Sequence, residues 1–115
     1  MVAVLNFFDL ASKPVRQEQF ATLLENRAVK IERIVSHSYE GPEDFWYDQA
    51  QTEWVIVLRG EAELEFEGGN VVRLRSGDYL TIPSHTRHRV RRTGAETFWL
   101  AVHVKDAAAG ESEGR

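Results

Sequence analysis

Turn signals recur between residues 53 and 104 at intervals too short for ordinary helices. Arg59-Gly60, Gly68-Gly69-Asn70, Ser76-Gly77-Asp78 and Thr93-Gly94 divide this half of the chain into segments 53–58, 61–67, 71–75, 79–82, 87–92 and 96–104. Runs of this length bounded by Gly, Asn, Asp and Ser read as strands. Many short strands in succession pack as a sandwich or a barrel. The fold class expected is therefore all-β.

Alternation then says which side chains point inward. In EAELEFE, residues 61–67, every odd position is Glu, and the even positions are Ala62, Leu64 and Phe66. Successive strand residues point to opposite faces, so this is a half-buried strand with one wet face and not an acidic metal site. RHRVRR, residues 87–92, obeys the same rule. Arg87, Arg89 and Arg91 share one face, and His88 and Val90 share the other. Arginine is rarely buried unpaired, so the arginine face is outside and His88 points into the barrel. Cross-strand pairing with the glutamates of 61–67 is the expected role of those arginines.

The first half of the chain is less regular. Residues 2–8 (VAVLNFF) and 28–36 (AVKIERIVS) read as strands. Residues 15–25 (VRQEQFATLLE) place Val15, Phe20, Leu23 and Leu24 at helical spacing behind Pro14, which predicts one short N-terminal helix. Gly41-Pro42 punctuates a loop. WVIVL, residues 54–58, is apolar on both faces. If Val55 and Val57 face the barrel, Trp54, Ile56 and Leu58 need cover from the N-terminal elements or from a second copy of the chain. A homodimer is expected on these burial grounds.

Composition closes off other classes. A chain of 115 residues with 43% apolar content is expected to be one domain with its own core, over 1–104, followed by a flexible small-residue tail at 105–115. There are no cysteines, so disulfides, thiolate nucleophiles and cysteine–zinc sites are excluded. Their absence fits a reducing compartment, and no signal-peptide pattern opens the chain, so a cytoplasmic location is expected. No apolar run reaches the roughly 20 residues of a membrane helix. The net charge of −4 argues against nucleic acid as a partner. There is no phosphate-binding Gly-rich loop with Lys and no Gly-x-Ser-x-Gly elbow.

GDYLTIPSHTRHR, residues 77–89, resembles the second motif of the cupins. Gly77, Pro83 and His88 stand at the motif's spacing, and His85 takes a turn position usually held by glycine. In YDQAQTEWVIVLRG, residues 47–60, Glu53 and Gly60 match the end of the first cupin motif. The chain as a whole is similar to small stand-alone bacterial cupins. The resemblance implies a double-stranded β-helix barrel with a small-molecule site inside it. Its two first-motif histidines are absent here. Their places fall on Tyr47 and Gln49 in one alignment, and on Trp46 and Asp48 in the other. Strand parity groups Tyr47 and Gln49 with Glu53, whereas a bulge would bring in Asp48 instead.

Carried onto this chain, the resemblance implies a metal set of Glu53, His88, and Asp48 or Gln49, with His85 as an additional donor. Such an oxygen-rich set with one imidazole suits Mn, Fe, Ni or Zn. Tyr47, Trp46 and His103 are the expected pocket residues. The alternative is a metal-free cupin that binds a small polar ligand, with His88, Tyr47 or His103 as acid and base, or a non-catalytic sensor.

Overall fold

The computed structural model describes residues 1–10 and 18–105. Eight strands follow one another: β1 (Glu18–Glu25), β2 (Val29–Ser36), β3 (Thr52–Arg59), β4 (Glu61–Phe66), β5 (Asn70–Arg75), β6 (Tyr79–Ile82), β7 (His88–Thr93) and β8 (Thr97–Val104). They form two sheets, one of order β1-β2-β8-β3-β6 and one of order β5-β4-β7. All pairings between named strands are antiparallel.

The inner faces of the two sheets enclose the core. Val55, Val57, Trp99 and Ala101 come from the larger sheet; Ala62, Leu64 and Leu74 come from the smaller. Alternation in β3 and β4 does what the sequence pattern predicts. Val55, Val57, Ala62 and Leu64 are each at most 2% exposed, while their neighbours along the strand are not buried. Gly60 joins these strands in the left-handed region, with φ of 97°. A Cβ there would lie 2.5 Å from the carbonyl oxygen of Glu96, so glycine is needed for the turn and for the close approach of the chain beyond β7.

The charged outer face of the small sheet pairs across strands as expected. Arg87 meets Glu67 at 2.8 Å, Arg89 meets Glu65 at 2.9 Å, and Arg73 meets Glu63 at 3.1 Å. A bulge in β7 leaves Arg91 opposite no residue of β4, so both Arg91 and Arg92 reach Glu63. Arg89 is outside the barrel yet only 8% exposed. The loop after β2 covers it, and its guanidinium donates to the carbonyls of Gly41 and Pro42.

Two expectations for the N-terminal part are corrected. Residues 18–25, the larger part of the expected helix, form β1, which pairs with β2 from Glu18↔Ser36 to Glu25↔Lys30. Pairing with an available sheet edge overrides the helical spacing of Phe20, Leu23 and Leu24, which are 46–50% exposed. A bulge between Thr22 and Leu24 disrupts the alternation that would have advertised a strand. Pro14 and Val15 lie outside the described residues. The expected strand at 2–8 is not one. Its Phe7 and Phe8 rings pack on Phe98, Arg59 stacks on Phe8, and Arg33 donates to the carbonyls of Phe7 and Asp9. This segment is held by side-chain contacts rather than by a strand ladder.

Lys105 is tied to Glu25 by an ion pair and to the carbonyl of Ala28. The rest of the expected tail, 106–115, lies outside the described residues. Among the described residues, no helix is long and apolar enough to cross a membrane.

Candidate functional site

A cavity of about 510 Å³, counting its open mouth, lies between the sheets. Its polar wall comes from Glu18 on β1, Glu32 on β2, Glu53 on β3, His88 on β7 and His103 on β8, with Tyr47 and Gln49 from the segment before β3. Phe20, Tyr47 and Trp99 supply aromatic wall.

His88 is fixed from three sides. Its backbone exchanges two hydrogen bonds with Tyr47, at 2.7 and 3.1 Å. The Tyr47 ring stacks on its imidazole with centroids 5.5 Å apart, and Phe66 packs beside it. Its Nδ1 lies 2.8 Å from the carbonyl oxygen of Thr86. A carbonyl only accepts, so Nδ1 carries a proton and donates. In the neutral ring this leaves Nε2 with a free lone pair. The side chain is 5% exposed.

Glu53 faces that nitrogen, with Oε1 3.8 Å from Nε2, beyond hydrogen-bond reach. Glu53 is 9% exposed. Burial raises its carboxyl above the ordinary 4.5, and the nearby His103 and His88 only partly offset this.

His103 sits opposite Glu53 in the β3–β8 ladder and pairs with Glu32, Nε2 to Oε1 at 3.2 Å. The hydrogen bond to Glu32 raises the His103 value above 6.5 against the opposing effect of burial, and the same bond lowers Glu32. The two shifts reinforce one another, so the pair favours the charged forms more than either group does alone. The Tyr47 phenol is pushed up to about 12, first by burial and then by the carboxylates around it, so it stays protonated.

The residues proposed from sequence divide into two groups. Tyr47, Gln49, Glu53, His88 and His103 line the cavity. Asp48, His85 and Trp46 do not. Asp48 and His85 hydrogen bond to each other at 2.9 Å on the surface, with side chains 49% and 69% exposed. His85 occupies its turn with φ of 58°, the conformation that glycine adopts readily, and its N–H bonds the Gln49 carbonyl. Trp46 points to the other side of the chain from Tyr47 and lies over Arg87 and Arg89. Neighbouring residues of an extended segment diverge in this way. Glu18 and Glu32 were not anticipated. Both occupy inward positions of strands whose alternation was weak or misread.

These donors do not suit a divalent ion. His88 and Glu53 supply one nitrogen and one carboxylate, and Gln49 adds only an amide. Asp48 and His85 are engaged with each other outside, and Glu32 is engaged by His103. Among the described residues, no three or more His, Asp or Glu side chains are grouped as a metal requires. Mn, Fe, Ni and Zn sites draw on three or more protein donors in most settings.

The family model for the cupin domain matches residues 31–103. The chain belongs to the cupin family. No curated protein matches this cupin in sequence. Among solved structures it is similar to the "putative mannose-6-phosphate isomerase" of Ralstonia eutropha JMP134. The two are 43% identical, the match covers 89% of this cupin and 97% of that chain, and the TM-score is 0.81. An RmlC-like cupin family protein with a double-stranded β-helix fold from Methanocaldococcus jannaschii is 16% identical over 90% of this chain and 92% of its own, at a TM-score of 0.70. KdgF from Halomonas sp. is 17% identical over 84% and 89%, at 0.67. These two likenesses carry the fold, so the two-sheet barrel of this cupin is a double-stranded β-helix.

Proposed function

We propose that this cupin binds a small polar molecule in its barrel without a resident metal, and catalyses proton transfer on it. The observation that carries the reading is the pair His88 and Glu53. His88 presents Nε2 with no protein hydrogen bond, and Glu53 is a buried carboxyl whose proton affinity burial raises. A nitrogen lone pair beside a carboxyl that holds its proton more tightly than in water is the arrangement needed to isomerise a hydroxy-carbonyl compound or invert a centre next to a carbonyl. His88 Nε2 takes the proton from carbon while the Glu53 carboxyl gives its proton to the carbonyl oxygen, forming an enol. For exchange or inversion, the same O–H proton returns to Glu53 while the imidazolium reprotonates the original carbon, with the enol turned over in the case of inversion. For isomerisation, the neighbouring hydroxyl of the enediol gives its proton to Glu53 while the imidazolium protonates the former carbonyl carbon. No oxidant or second substrate is required.

The name of the 43% identical relative supports an isomerase reading. Among the described residues no Lys or Arg lines the inner cavity; the cationic groups nearest to a phosphate there would be His103 in the wall and Lys30 at the adjoining mouth, where Glu32 engages both. The test is to incubate the protein in deuterated water with a panel of small hydroxy-carbonyl and amino-carbonyl compounds. Exchange of carbon-bound hydrogen, lost in His88→Ala, is the expected result.

The same proposal includes a cytosolic, homodimeric protein. The larger sheet leaves Trp54 and Ile56 only half-buried, and Leu58, Tyr79 and Val104 are 37%, 64% and 43% exposed. The N-terminal segment covers Phe98 and not this strip.

A further inference from the structure

Glu18 is a partly buried acid that the proton-transfer scheme does not use. It stands on the inner face of β1, at the cavity wall, in a strand that sequence periodicity assigned to a helix. Its position is held by a relay. Trp99 Nε1 donates to Ser36 Oγ at 3.2 Å, and the Ser36 hydroxyl donates to Glu18 Oε2 at 3.1 Å. Trp99 and Ser36 are 3% and 0% exposed, so the relay is anchored in the core. Only Oε2 is engaged. Among the described residues, Glu18 has no Lys, Arg or His ion-pair partner.

An acid in such a place has a cost. A carboxylate taken out of water needs an opposite charge, and without one it holds its proton instead. Burial does push Glu18 up to about 7. The other acids of the wall are accounted for: Glu32 pairs with His103, and Glu53 faces His88. Among the described residues, Glu18 has no ion-pair partner, and its Oε1 makes no hydrogen bond. The same cavity holds two further polar groups that are at least nine-tenths buried and make no hydrogen bond at the atoms concerned, the Glu53 carboxyl and His88 Nε2. Phe20, Tyr47 and Trp99 line it with ring faces or edges, a wall that suits an organic cation better than a hydrated ion.

We propose that Glu18 is the specificity residue of the cavity and that its Oε1 receives the ammonium group of a small organic amine, whose remaining carbons lie against the aromatic wall. This rests on the reading of the cavity as a ligand site and narrows its substrate to amino compounds such as an amino-carbonyl molecule. It also predicts discrimination against anions.

The experiment compares two ammonium probes with their uncharged counterparts, choline with 3,3-dimethylbutan-1-ol and ethanolamine with ethane-1,2-diol, and adds mannose 6-phosphate. Binding is followed by calorimetry and by the indole N–H resonance of Trp99, one hydrogen bond removed from Ser36. The expected result is that each ammonium binds at least about tenfold more tightly than its neutral counterpart, a difference of about 1.4 kcal/mol. Glu18→Gln, which can still accept from Ser36, should keep the fold and the neutral binding but lose that preference. Equal binding of charged and neutral probes would overturn the role of Glu18 and leave the ligand cavity standing. So would an undiminished preference in Glu18→Gln. Tighter binding of mannose 6-phosphate than of either amine would overturn it as well. No binding by any probe would remove both the cation seat and the ligand reading.

Discussion

Nε2 of His88 and Oε1 of Glu53 lie 3.8 Å apart across the cavity, too far for a hydrogen bond and near enough for one ligand group to touch both. If they act together, each has its own signature on removal. His88→Ala removes the base and should lower turnover by about 10²–10⁴-fold. Glu53→Gln keeps the shape and the hydrogen-bond donor but not the transferable proton, so it should reduce kcat and leave KM nearly unchanged. Steady-state kinetics on a compound that exchanges its carbon-bound hydrogen separates the two. Equal losses in KM alone would make both residues mere binding contacts.

Titration of the inner wall should appear in stability. Glu18 is raised from 4.5 to about 7 by burial, and His103 is raised above 6.5 chiefly by Glu32. A group whose folded value is raised contributes stability that is fully present below its unfolded value and is lost as pH climbs through the folded one. For Glu18 that loss runs from 4.5 to about 7; for His103 it begins near 6.5. The melting temperature should therefore fall as pH rises from 4.5 to about 7, and further as His103 loses its proton above 6.5. Glu18→Gln should flatten the earlier part of this fall and be more stable than the parent at the alkaline end. A melting temperature that rises over the same interval in the parent protein would contradict these assignments.

Arg89 should be a stability residue despite its place on the polar face. It is 8% exposed, bonds Glu65, and ties down two loop carbonyls while lying under Trp46. Arg89→Ala leaves the Glu65 carboxylate and both carbonyls short of a donor. A loss of roughly 3 kcal/mol in urea unfolding is expected, by analogy with breaking a buried pair. Arg73, whose side chain is 49% exposed in its bond to Glu63, should cost less than about 1 kcal/mol on the same substitution.

Sedimentation should find a dimer at micromolar concentration. Trp54 and Tyr79 touch on the outer face with ring centroids 5.4 Å apart, and they sit among apolar residues that the described part of the chain leaves exposed. Ile56→Glu on this face should yield monomers that keep the cavity intact. A parent protein that sediments as a monomer would leave the exposed strip without this explanation.

The half of the fold after Glu53 was legible because period-2 alternation and turn residues agree there. Glu61, Glu63 and Glu65 against Ala62, Leu64 and Phe66 permit one reading, and the same parity separates Gln49 from Asp48 and His88 from the arginines. Two effects hid the rest. In β2 both faces carry charge, Lys30 and Glu32 on one and Arg33 on the other, so nothing local said that Glu32 faces inward. In β1 the spacing of Phe20, Leu23 and Leu24 satisfies a helix, and the bulge hides the strand period. Glu18 and Glu32 become site residues only through pairing with partners far along the chain, at Ser36 and His103. Single-strand patterning does not contain that information.

The place of β8 in the larger sheet governs how the barrel can be assembled in time. The order β1-β2-β8-β3-β6 puts residues 97–104 between two halves formed from earlier parts of the chain. Until β8 arrives, β2 and β3 have no ladder between them, and each presents an unsatisfied edge. Pairings of such long sequence separation are slow to close. The nascent barrel thus passes through a stage with two open strand edges, the state most prone to pair with another chain. Conditions that hasten closure of this last strand should do more for the yield of folded protein than added stability elsewhere.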